Sequence, residues 1–117
     1  MRIRGVTFVG TATAERPAMA AFARDVLGLD PIHVEGVDAD LFGLPDGTSF
    51  AVADPRSMGV TSRTIGFLVD DIEEAIAELR AAGCDLDDEV ATNERHRYVH
   101  FRAPDGHLYE LVEERGD

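Results

Sequence analysis

Two stretches of the chain repeat their apolar positions every three to four residues, the spacing of a helix that buries one side. In residues 15–28 (ERPAMAAFARDVLG), Met19, Phe22, Ala23, Val26 and Leu27 fall on one stripe. Pro17 suits a first turn there, and Gly28 a C-terminal stop. In residues 71–83 (DIEEAIAELRAAG), Ile72, Ala75, Ile76 and Leu79 share a face, with Glu73, Glu74 and Glu78 off it. Asp70 or Asp71 can cap this second helix, and Gly83 ends it. Strand-like runs surround both. Residues 3–11 precede the first helix, and 31–36, 38–44 and 48–54 follow it. Residues 63–69 precede the second, and 97–103 and 107–114 follow it. The order is strand, helix, several strands, twice over.

The repeat is sharpest at two hairpins. GLPDGTSFAV (43–52) lies against RAPDGHLYEL (102–111), 59 positions apart, and the helices correspond at about 56. Pro presets one turn position of each PDG, and Gly supplies positive φ. The stretch DPRSMGVTSR (54–63) has no periodicity and reads as the connection. The expected organisation is one domain over 1–117, with modules of about 1–54 and 62–115 and a linker of about 55–61.

Composition narrows the partners. The 117 residues carry 23 acidic and 11 basic side chains, all of the latter Arg, for a net charge of −12. Such a field repels nucleic acid and anionic membranes and attracts cations; it equally serves solubility. No apolar run reaches the roughly 18 residues of a membrane span. The N-terminal stretch has no sustained apolar segment or cleavage signal, which predicts a cytoplasmic protein. A single cysteine, Cys84, has no internal partner, and with no basic neighbour it reads as an inert thiol.

The chemistry centres on Glu110, a carboxylate inside the apolar strand LYELV. Alternation puts Tyr109 and Leu111 on one face and Leu108, Glu110 and Val112 on the other. A tight turn at 103–107 sets His100 opposite Glu110 on the same face. Such a pair can act as general base with an orienting acid, hold a metal, or serve as a structural hydrogen bond. His107, after the turn glycine, reads as surface. His96, Arg95 and Arg97 read as a loop before the strand, and His33 lies on a strand of unassigned facing. No phosphate loop, zinc-spaced Cys/His set or nucleophile elbow is present.

FARDVLGL, DDIEEAIAELRAAG and PDGHLYEL, set in a duplicated βαβββ unit, resemble the vicinal oxygen chelate superfamily, which includes glyoxalases, bleomycin-resistance proteins and dioxygenases. The resemblance implies an α+β fold. Two βαβββ modules would form a curved, concave mixed sheet with helices on its outer face, commonly in a homodimer. It implies a divalent metal in the cavity, held by a His on the first strand of each module and a Glu on the last. Carried over, these positions fall on Phe8 (or Thr7 with a shift of one), Thr64, Glu110 and, from the first hairpin, Ala51. Phe8 and Ala51 carry no donor, and Thr64 only a hydroxyl, so no metal cofactor is expected; a divalent metal, if present, would use Glu110. The expected function is binding of a small molecule, cationic or aromatic, with Phe8, Thr64, Leu68, Tyr98, His100, Leu108 and Glu110 lining the site. The alternative is a metal-dependent lyase, isomerase or thiol transferase, in which Glu110 is ligand or general base and His100 its partner.

Overall fold

In a computed structural model, residues 1, 2, 4, 6–56, 65–93 and 96–116 are described. The chain divides into two compact units, Met1–Thr61 and Ser62–Asp117. The first holds β1 (Phe8–Ala12), α1 (Arg16–Asp25), β2 (Asp30–Ile32), β3 (Asp40–Gly43) and β4 (Ser49–Ala53). The second holds β5 (Gly66–Leu68), α2 (Ile72–Ala81), β6 (Ala91–Thr92), β7 (His96–Arg102) and β8 (Leu108–Glu114). Each unit is a four-stranded mixed sheet, ordered β1-β4-β3-β2 and β5-β8-β7-β6, and neither closes into a barrel. The first strand pairs parallel with the last, and the other pairings are antiparallel. The α+β, twice-βαβββ expectation holds.

One helix packs on one face of each sheet, α1 against β3 and β4, α2 against β8. Met19, Phe22 and Ala23 of α1 are buried, as are Phe42, Phe50 and Val52 of its sheet. Ile72, Ile76 and Leu79 of α2 are buried, with Val99, Phe101, Tyr109 and Leu111 of the second sheet. Removing such side chains from water stabilises each by about 1.5–3 kcal/mol, which fixes which face of every strand turns inward. Tyr109 stacks between Phe67 and Phe101, at ring-centroid distances of 6.0 and 5.8 Å, and its hydroxyl donates to Asp105.

Chain reversal is built the same way in both copies. Gly47 and Gly106 take φ of +88° and +85°, a region open to glycine at little cost. Asp46 and Asp105 each accept the backbone N–H two residues on, at 3.0 Å. Asp71 caps α2, accepting from Glu74 N at 3.1 Å.

Several boundaries differ from those read in the sequence. α1 ends at Asp25, so Val26 and Leu27 lie beyond it, in the turn closed by Leu29 N donating to Ala23 O. β2 stops at Ile32, the last residue paired with β3, so His33 lies off the strand, near Glu35. β7 begins at His96, one residue before the strand read in the sequence, so His96 belongs to the sheet with Arg97. β6 is only two residues long, too short for alternation to register. His107 is not simply surface either: its Nε2 is buried with no hydrogen-bond partner among the described residues.

Candidate functional site

The face of the second sheet that carries no helix holds a continuous polar row. Gly66 of β5 pairs with Glu110 of β8, and Glu110 with His100 of β7, the register expected from the turn. Beyond His100 the chain continues the sheet for one isolated bridge, Leu86 to Phe101, which puts Asp87 beside His100. His100 Nε2 lies 3.2 Å from Glu110 Oε1, and its Nδ1 lies 2.9 Å from Asp87 Oδ2. The same Asp87 oxygen accepts the His100 backbone N–H at 2.9 Å. These bonds, the backbone one first, hold the Asp87 carboxyl below its ordinary pKa. Tyr98 meets the His100 ring edge-on at 5.9 Å. Glu110 has room because residue 66 lacks a side chain: a Cβ there would stand 3.0 Å from Val112 Cγ2 and 3.7 Å from Glu110 Oε2.

Around this row the face is apolar and open. Leu68 is 64% exposed and Leu108 41%, whereas Tyr109 and Leu111 on the opposite face are buried. Phe8 belongs to the first unit, 61% exposed, with its ring over Gly10. Thr64 lies outside the described residues. Asp87 was not singled out from the sequence, since DLDD has no period. One signal was available: Gly28-Leu29-Asp30 and Gly83-Cys84-Asp85 align, which makes Asp87 the counterpart of Ile32 at the sheet edge.

The same row exists in the first unit with opposite chemistry. Gly10, Ala51, Leu41 and Ile32 pair across β1, β4, β3 and β2, position for position. They stand where Gly66, Glu110, His100 and Asp87 stand. The duplication has kept the register and divided the polarity.

The helix side carries other groups. Asp71, Glu73 and Glu113 bring carboxylate oxygens within 4.8 Å of one another. Two of the three are already paired with a cation. Arg97 holds Glu113 at 3.0 Å and also binds Glu73, and Glu113 accepts Ile72 N at 2.8 Å. A cavity of about 270 Å³ also opens on this side, between Ile76 and Ala77 of α2, Val99 and the Asp87–Val90 segment. It lies away from Glu110. Cys84 sits near the end of α2, where burial and then the charge of Asp85 push its thiol pKa up, as befits an inert thiol.

At the positions where the resemblance implies metal ligands, Phe8 and Ala51 offer no donor atom, and the Glu110 carboxylate lies 3.2 Å from His100 Nε2. A divalent ion requires several oxygen or nitrogen donors, and of these three positions only Glu110 supplies one. Among the described residues no helix is long and apolar enough to cross a membrane.

Comparison with solved structures places this arrangement among related folds. TnmS3, an antibiotic binding protein from Streptomyces sp. CB03234, superposes with a TM-score of 0.81 at 21% identity, over 98% of this chain and 99% of that one. Lactoylglutathione lyase from Agrobacterium tumefaciens gives 0.78 at 17% identity, over 96% and 95%. The oxidase ChaP-H2 gives 0.78 at 26%, over 98% and 96%. No curated protein matches the sequence. Residues 6–111 match the family described as the Glyoxalase/Bleomycin resistance protein/Dioxygenase superfamily. With its twice-repeated βαβββ unit and this match over nearly its whole length, the chain belongs to that superfamily.

Proposed function

We propose that this protein binds a small, partly aromatic and cationic molecule without a metal, its superfamily metal site being degenerate. The observation that carries the reading is Glu110: a carboxylate on the helix-free face of the sheet, beside exposed Leu68 and Leu108. Tyr98 and His100 complete an apolar surface with a few fixed polar groups, the usual makeup of a ligand site. Phe8, in the first unit, and Thr64, outside the described residues, are the other two residues expected to contact ligand. The chain acts as a single glyoxalase-like domain whose modules are joined at about 55–61, and as a cytoplasmic homodimer. The net charge of −12 favours a cation, and TnmS3 is described as antibiotic-binding. The test is a ligand-observed NMR screen of cationic aromatic compounds against wild type and Glu110→Gln. Binding that weakens about tenfold or more in the variant supports the reading; binding indifferent to Glu110 sinks it.

The second reading is an enzyme, favoured by the unbroken line from Asp87 through His100 to Glu110. It would be a metal-dependent lyase, isomerase or thiol transferase, with Glu110 as metal ligand or general base and His100 as its partner. Metal analysis separates the two. Stoichiometric manganese, nickel or zinc that is lost together with a measurable activity in Glu110→Ala supports the enzyme.

A further inference from the structure

We infer that Asp87 is a positioning residue that turns His100 and Glu110 into a paired acceptor for a ligand ammonium bearing N–H groups. This rests on the proposed ligand-binding role and names its ligand class. The argument begins with the single oxygen, Asp87 Oδ2, that meets both the backbone N–H and Nδ1 of His100 at 2.9 Å. A carboxylate only accepts, so this contact requires the ring proton on Nδ1. In the neutral ring Nε2 then carries a lone pair, since the hydrogen bond at one nitrogen decides the state of the other. Nε2 lies 3.2 Å from Glu110 Oε1, so the neutral ring sets two acceptors side by side, whereas a doubly protonated ring would pair with Glu110 itself. Two acceptors at that distance need a donor between or beside them.

The donor that suits is an ammonium with at least one N–H to spare for each partner. A divalent ion would need more donors than two side chains provide, while an ammonium is satisfied by two or three acceptors. A quaternary ammonium has the charge but no N–H, so charge attraction and hydrogen-bond recognition separate cleanly. Gly66 leaves the second Glu110 oxygen uncovered by a side chain at that position, and Tyr98 holds the other side of the imidazole. In the first unit the matching row of Gly10, Ala51, Leu41 and Ile32 has no side-chain donor or acceptor, so this chemistry belongs to one copy.

Two measurements test the inference. Long-range ¹⁵N NMR of the ligand-free protein, at a pH where histidine is ordinarily neutral, reads the His100 tautomer. The expected spectrum has Nδ1 protonated and Nε2 bare, and Asp87→Ala shifts the proton toward Nε2. A ring protonated at Nε2 in wild type overturns the inference whatever binds. The second measurement compares benzylammonium, benzyltrimethylammonium and benzyl alcohol by chemical-shift titration. Benzylammonium should bind about tenfold more tightly than the quaternary analogue, and Asp87→Ala should erase that preference. Equal binding of the two cations overturns the inference and leaves the proposed function standing. If none of the three binds, both fall.

Discussion

Arg97 Nη1 donates to Glu113 Oε1 at 3.0 Å across the β7–β8 ladder, and the same guanidinium reaches Glu73 in the first turn of α2. The first unit has the matching clasp with its charges redistributed. There Arg16 is on the helix, bonding Asp40 and Asp54 at 3.0 Å and Asp38 at 3.3 Å. Hydrogen bonds, that of Asp40 first, raise the pKa of Arg16, and Arg16 in turn lowers that of Asp54. What the two copies share is the tie from helix start to strand end, with its sign free to change.

Removing Arg97 should therefore expose a latent cation site. Arg97→Gln leaves the carboxylates of Asp71, Glu73 and Glu113 together without their counter-charge. Exposed ion pairs are individually weak, so only a small fall in melting temperature is expected. The sharper readout is calcium or manganese, which should raise the melting temperature of the variant and leave wild type unmoved. A variant as indifferent to metal as wild type refutes the prediction.

Acid should loosen Asp87 before it touches the core. Its folded carboxyl pKa is lowered, by the His100 backbone N–H first and the ring second. A lowered carboxyl contributes stability above its unfolded value and loses it as pH falls through the folded one. The His100 amide, corrected for intrinsic exchange, should be protected at neutral pH and lose protection below the ordinary carboxylate range. Asp87→Ala should remove that pH dependence.

Gly66 is predicted to be a gate by virtue of what it lacks. Gly66→Leu would push against Val112 and cover Glu110 Oε2. Binding of a cationic probe should weaken about tenfold or more, with the far-ultraviolet circular dichroism spectrum preserved. Unchanged affinity would mean that the ligand approaches elsewhere.

Met19 is fully buried under α1. Met19→Ala should cost about 2–5 kcal/mol in urea unfolding, as large-to-small core changes do. A loss under about 1 kcal/mol would show that the first unit repacks around the gap.

The sequence discloses the fold through features that obey local rules. Helical stripes, PDG turns and strand alternation each follow from a few neighbours, and they survive intact at Met19, Phe22, Ile72, Ile76, Tyr109 and Leu111. His100 and Glu110 were also legible together, because a short turn fixes register. Asp87 was not, since its place depends on the path from Gly83 back to the sheet edge, and no periodicity marks that path. The start of β7 is hard to read for a related reason: a charged strand start looks like a loop until Glu73 and Glu113 are known to face Arg97.

The polar row has a consequence for engineering. It lies on a sheet face that no helix covers, so its residues are chosen without the constraint that fixes Phe50 or Tyr109. Its four positions recur in the first unit in the same pairing. The triple change Ile32→Asp, Leu41→His and Ala51→Glu would write the same sentence onto the other copy without altering the backbone beneath. The register thus offers the same row twice, and only one copy carries polar side chains.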